Sequence, residues 1–195
     1  SMPLWMLALG TLFFGAKVAR AQVAGAVLSM AGVLVVLSRG EWSQLLALRL
    51  VAGDLYMLAA TLSWAWYSWL LSRRDEPEAI RADWAAFLLA QVVYGLGWSA
   101  AFAAGEWGLT DARIVWGWPL VATLAFVAVG PAVLAYRCWG LGIQRSSPAV
   151  AGFFSNLTPL FAALMSVAFL GDLPKPYHAL AFALIVGGIV VSSRR

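Results

Sequence analysis

PLWMLALGTLFFGAKVARAQVAGAVLSMAGVLVVLSR, residues 3–39, aligns without a gap on PLFAALMSVAFLGDLPKPYHALAFALIVGGIVVSSRR, residues 159–195. Pro3 pairs with Pro159, Leu4 with Leu160, Phe13 with Phe169, Gly15 with Gly171, Gly32 with Gly188 and Arg39 with Arg195. The offset stays constant across two apolar segments and the hinge between them. The repeated unit is therefore a pair of helices, present in two copies.

Composition places those helices in a membrane. Hydrophobic residues make up 63% of the chain, charged residues 11%, and mean hydropathy is +0.83. A soluble domain is roughly half apolar and a quarter charged, and could not hide this much apolar surface. Apolar runs cover about residues 3–16, 20–38, 51–71, 83–104, 115–137, 147–170 and 176–193. Lipid offers no partner to an open backbone, so each run is expected to be a helix, giving an all-α membrane protein of about seven transmembrane helices. Barrel strands would alternate apolar and polar residues, and these runs do not.

The net charge of +4 does not indicate nucleic acid as a partner, because the basic residues sit singly at helix ends. They report orientation instead. With a cytoplasmic C-terminus, the inner side holds Lys17, Arg20, Arg73, Arg74, Arg81, Arg145, Arg194 and Arg195, with Arg137 near that end, and the outer side only Arg39, Arg49, Arg113 and Lys175. That orientation puts the Gly15 hinge inside and the Gly171 hinge outside, so the two copies are inverted, as in many secondary transporters. Trp42, Trp107, Trp116 and Trp118 mark one boundary, Trp84 and Trp139 the other. The single Cys138 allows no internal disulfide. The first run lacks a basic leader and a cleavage site, so no signal peptide is expected. It is also short, roughly 22 Å at about 1.5 Å per residue, as if the chain began inside a helix.

Several local signatures then fall in order. Leu157-Thr158-Pro159 forms a kink, Leu170-Gly171-Asp172 a hinge and Val186-Gly187-Gly188-Ile189 a glycine-rich final helix. Gly53-Asp54-Leu55, Trp64-Ala65-Trp66-Tyr67 and Ala135-Tyr136-Arg137-Cys138-Trp139 precede them. In this order and spacing they resemble the ten-helix EamA branch of the drug/metabolite transporter superfamily, across the whole chain. The resemblance implies that residues 1–39 are the last two helices of a first repeat, 40–50 a linker and 51–195 a complete second repeat of five helices. About three helices of the first repeat are then absent, an N-terminally truncated version of the family's bundle. Two positions depart from the pattern: Gly15-Ala16-Lys17 lacks the acidic hinge residue, and Arg137 stands where the family is commonly apolar.

The candidate substrate-binding residues are Trp64, Tyr67, Gln91, Arg137 and Asn156, with Pro159 as the helix kink. Pro159 has no amide hydrogen for the Ser155 carbonyl, which leaves backbone acceptors beside Asn156; the alternative is simple helix packing. Arg137 either faces a cavity, where it would hold a carboxylate or phosphate, or snorkels to the interface. Ser63 and Tyr67 share one helical face, with Trp64 and Ser68 beside it; the matched motif implies that Trp64 and Tyr67 form an aromatic cavity wall, unless their rings only fill space between helices. Gln91 and Tyr94 are further candidates on the next helix, and His178 reads as an interfacial residue.

No Asp or Glu sits in mid-membrane; Asp54 is placed to cap a helix start. Transport is then uniport or exchange, or the coupling group lies on the absent helices. No enzyme, cofactor or metal is expected. Ser155 lacks the glycine of a serine-protease signature, and no Lys lies within the last helix for a retinal Schiff base. The resemblance implies an inner-membrane exporter of small metabolites such as amino acids, working by alternating access; a homodimer is conceivable. The alternative is a non-transporting fragment or helix-association module whose activity needs the absent helices.

Overall fold

The computed structural model describes residues 1–47, 49, 51–73, 83–111, 113–171 and 174–193. Arg74, Arg81, Arg194 and Arg195 of the charge pattern, Asp172 of the second hinge and the side chain of Trp42 lie outside the described residues. The described residues form helices and connecting turns, with no strand among them. They divide into two compact units, residues 1–72 with 142–195, and residues 73–141.

In the first unit, α1 is Met2–Phe13, α2 Arg20–Leu37, α3 the short Trp42–Leu46 within the expected linker, and α4 Ala52–Ser72. The C-terminal stretch adds α8 Pro148–Phe154, α9 Thr158–Leu170 and α10 Pro176–Ser193. The second unit holds α5 Trp84–Leu109 and α6 Trp118–Val127, which continues through a π-helical stretch, Ala128–Ala135, into α7 Tyr136–Arg145, whose residues from 142 onward count with the first unit. Among the described residues, five helical segments are long and apolar enough to cross a membrane: α2, α5, α6 through α7, α8 through α9, and α10. α4 has the length, 21 residues, but its serines, tyrosines and tryptophans lower its hydropathy. α1 is apolar but only 12 residues long.

Local chemistry sets the boundaries. The Asp54 carboxylate accepts from the Val51 amide at 2.8 Å, capping α4 as its position predicted. Asp83 Oδ1 accepts from Ala85 N at 2.9 Å and Ala86 N at 3.2 Å, opening α5. Ser147 Oγ caps α8 ahead of Pro148. The hinge glycines of the two copies adopt the same left-handed backbone, Gly15 at φ 64° and Gly171 at φ 72°, a conformation that costs an L side chain about 1–2 kcal/mol. The repeat is thus visible in the backbone itself.

The packing of α2 on α10 shows how the copies are related. A Cβ built on Gly25 would lie 2.5 Å from the Gly188 carbonyl oxygen, and one on Gly32 would lie 2.9 Å from the Ala181 carbonyl oxygen. As numbers rise along α2 they fall along α10, so the helices are antiparallel and separated by little more than backbone. The contacts are also self-complementary. Gly32 meets Ala181 and Ile185, and Gly188 meets Gly25 and Ser29. Replacing each residue by its counterpart in the other copy (Gly32 by Gly188, Ala181 by Gly25, Ile185 by Ser29) turns the first contact set into the second. That exchange is the signature of a two-fold axis across the helix pair, and it makes the repeats inverted. Small residues allow this approach in a medium where hydrophobic exclusion between helices is weak.

Beside the pair, Ala26, Phe153, Ile185 and Ile189 form an apolar core with Leu7, Val33 and Leu157 against it. α8 meets α1 where Gly152 lies against the buried Met6. α4 is tied to α1 by Trp69, whose Nε1 donates to the Met6 carbonyl at 2.9 Å and whose ring stacks on Phe14 at 5.2 Å.

The second unit is built differently. Neither α5 nor the α6 segment buries any residue among those described. α5 places Trp84 at its first residue and Trp107 near its last, roughly 35 Å apart at 1.5 Å per residue. That spacing fits aromatic anchors on both faces of a hydrocarbon layer about 30 Å thick. Pro131 lies inside the π-helical stretch, where a missing N–H and a crowding ring make the regular ladder unavailable.

Candidate functional site

The expected kink is present and short. α8 stops at Phe154, three residues from Ser155 to Leu157 tighten into a 3₁₀ turn, and α9 resumes with Pro159 in its first turn. Asn156 sits in that turn, buried, and its Nδ2 donates to Ser29 Oγ at 2.9 Å. Ser29 Oγ in turn donates to the Ala26 carbonyl at 3.2 Å. The polar residue at the helix break is therefore tied to the inverted copy at the close α2–α10 contact. Its partner lies 127 residues away in sequence.

On α4, Ala65, Ser68 and Trp69 are buried, while Trp64 and Tyr67 are half-buried beside them. The rings of Trp64 and Tyr67 meet at 5.4 Å, tilted by 50°. Trp66 projects to the other flank and takes edge contacts from Phe13 at 5.2 Å and Phe14 at 5.5 Å. Leu9, Phe13, Leu62, Ser63 and Trp66 line an open cleft of about 420 Å³ between α1 and α4. Phe13 and Trp66 were not singled out from the sequence as site residues. The Trp66/Trp69 spacing on a single helix, opposite a Phe13-Phe14 pair, was the available signal.

Gln91 and Arg137 belong to the second unit. Gln91 is half-buried, with Nε2 donating to its own helix at the Phe87 carbonyl, 3.4 Å away. The Arg137 guanidinium carbon lies 5.0 Å from the centroid of Trp84, the first residue of α5. This is the geometry of a cation over an aromatic ring at a helix end. A guanidinium held over a ring in this way can still donate N–H groups to an anion. The structure thus brings together Trp64 with Tyr67, and Asn156 with Ser29, each pair within the first unit.

A third feature lies where α2 ends and α10 begins. Val36, Arg39, Pro159, Leu160, Lys175 and His178 are among the residues lining a cleft of about 920 Å³. His178 Nδ1 accepts from the Lys175 amide at 3.0 Å, which closes the first turn of α10 and fixes the ring proton on Nε2.

Antiparallel repeated helices, membrane-length apolar segments and an aromatic cleft define a polytopic membrane protein of transporter architecture. The EamA-like transporter family matches residues 51–194, and the chain belongs to that family, which is one of transporters and not of enzymes. It is 28% identical over 191 residues to the aromatic amino acid exporter YddG of Ancylobacter novellus, covering 98% of this chain and 63% of that protein. A probable terminal-alkyne amino-acid exporter of Streptantibioticus cattleyicolor is 26% identical over 205 residues, covering 99% of this chain and 61% of the relative. The inner membrane transporter YedA of Escherichia coli K12, itself uncharacterized, is 27% identical over 191 residues, covering 98% and 58%. The chain thus spans about three-fifths of the length of these curated relatives. One solved crystal structure superposes with a TM-score of 0.69 at 23% identity, over 98% of this chain and 65% of that one.

Proposed function

We propose that the protein exports small amphipathic metabolites of amino-acid chemistry across the inner membrane by alternating access, with its C-terminus in the cytoplasm. The observation that carries this reading is the two-fold exchange of contacts between α2 and α10. Two inverted copies of one fold have two equivalent arrangements, related by exchanging the roles of the copies, and these are the inward- and outward-open states of an alternating-access cycle. The exporter names of two relatives support the substrate class.

In this reading Trp64 and Tyr67 form an aromatic wall for the apolar part of the substrate, and Phe13 with Trp66 extends aromatic surface on the other flank of α4. In the second unit, and apart from that wall, Arg137 beside Trp84 is a candidate contact for a carboxylate. Gln91, also in the second unit, is a candidate polar contact. Asn156 acts as a positioning residue, holding the helix break to α2 through Ser29.

Thermal stability of the detergent-purified full chain, measured against millimolar tryptophan, phenylalanine, lysine, a nucleoside and a sugar, tests the proposal. A substrate at about 100 times its dissociation constant stabilises by about 2.7 kcal/mol. An aromatic amino acid should raise the melting temperature, Trp64→Ala and Arg137→Ala should abolish the shift, and Arg137→Lys should retain only part of it. A shift of equal size in all three variants would overturn the site, and stabilisation by the nucleoside or sugar alone would overturn the substrate class.

A further inference from the structure

We infer that the cleft at the α2–α10 end binds an anionic amphiphile, a phosphate or carboxylate head carried on an aliphatic chain. The inverted packing creates the charge arrangement. Because α2 and α10 are antiparallel, the C-terminal end of one and the N-terminal end of the other share a side of the bundle, which brings Arg39 and Lys175 to one cleft. They are more than 130 positions apart in sequence. The ends are in direct register, since a Cβ on Gly40 would lie 3.2 Å from Tyr177 Cβ.

The cleft has two chemically distinct parts. Its wall is apolar, with Val36 from α2 and Leu160, Ala163 and Val167 from α9. Its rim carries Arg39 and Lys175, both exposed, together with His178. With Nδ1 accepting from Lys175 N, the imidazole has only its Nε2–H to donate, so it adds a donor to the two cations. The positive end of the α10 dipole is offset there by the C-terminal ends of α2 and α9, so Arg39 and Lys175 carry the charge of the rim. No described residue lining the cleft is a carboxylate. A volume of about 920 Å³ falls within the roughly 300–1,000 Å³ of small-molecule sites. A simple inorganic anion would leave the apolar wall empty, and a neutral lipid would leave two cations unmatched. An anionic head with a chain satisfies both.

Native mass spectrometry of the full chain in detergent, titrated with palmitoyl-oleoyl phosphatidylglycerol and with phosphatidylcholine of the same chains, tests this. Phosphatidylglycerol should bind and phosphatidylcholine should not. A Lys or Arg near an anionic surface contributes about a fivefold change in affinity, so Arg39→Gln with Lys175→Gln should weaken binding about 30-fold. Arg39→Lys with Lys175→Arg should keep it, and Ala163→Trp, which fills the wall without touching a charge, should also remove it. Equal binding of the two lipids would overturn the inference. So would undiminished phosphatidylglycerol binding by the Gln double variant, with helical circular dichroism confirming its fold. Inorganic phosphate competing as well as the lipid would overturn it too, by making the site one for anions alone. Asp172→Asn should leave the preference intact; if it creates the preference, the rim is neutralised in the native chain and the inference fails. Displacement by decanoate identifies a soluble carboxylate amphiphile as a source, and resistance to it identifies the bilayer lipid; both belong to the inferred class.

Discussion

Replacing Gly188 by alanine should separate the two copies, while the same change at Gly187, one residue earlier, should not. A Cβ at Gly188 would lie 2.6 Å from the Gly25 carbonyl oxygen, 2.7 Å from Ser29 N and 2.9 Å from Ser29 Cβ. Two of those atoms are backbone, so no rotamer change relieves the overlap. Reaching an ordinary contact of about 3.4 Å requires α2 and α10 to part by about 0.8 Å. At Gly187 the nearest atom is Leu28 Cδ2, already at 3.4 Å and at the end of a flexible side chain. Both substitutions gain about 1 kcal/mol of helix propensity, which cancels in the comparison. The remaining difference is overpacking, about 1–3 kcal/mol against Gly188→Ala. Reversible unfolding of the purified chain in mixed dodecylmaltoside and SDS micelles, followed by circular dichroism, reads it directly. Gly32→Ala, the two-fold counterpart, should behave as Gly188→Ala does. If Gly187→Ala and Gly188→Ala are equally stable, the antiparallel contact described for α2 and α10 is wrong.

Other substitutions probe the polar ties. Asn156→Leu leaves Ser29 without the donor that reaches it across the copies and should cost about 1–3 kcal/mol. Adding Ser29→Ala should recover part of that loss, and strict additivity in the double-mutant cycle would show that the bond does not couple the two residues. Trp5 Nε1 is buried without a hydrogen-bond partner, so Trp5→Phe removes a donor whose burial costs about 1–3 kcal/mol. That variant should be at least as stable as the parent in the same assay; a loss above about 2 kcal/mol would mean that the indole N–H is satisfied.

Much of this fold was legible because duplication is a one-dimensional signal. The Gly15 and Gly171 pairing anticipated a shared hinge, whose left-handed backbone the structure supplies, and Pro159 anticipated a break whose length only the structure supplies. Asp54 as a helix cap followed from position alone. What was hidden depends on pairing across the inverted copies. Asn156 looked like a polar group facing a cavity because Ser29, its partner, was an unremarked small residue in an apolar run. Arg39 and Lys175 read as separate interfacial charges until antiparallel packing placed them on one cleft. The π-helical stretch was masked because Gly130 and Pro131 sit inside an uninterrupted apolar run, which fixes membrane depth but not helix winding. The cation–π contact of Arg137 with Trp84 depends on tertiary contact, and sequence spacing left snorkelling and cavity-facing geometries equally open.

The central claim is transport, and export is measured most directly. Cells lacking their own aromatic exporters, expressing the tagged chain at verified levels in the inner membrane, are loaded with a phenylalanine dipeptide that is hydrolysed inside. The account predicts faster appearance of free phenylalanine outside than in cells expressing the Trp64→Ala and Tyr67→Ala double variant at the same level. Equal rates in both, with the chain inserted in the membrane, would contradict it.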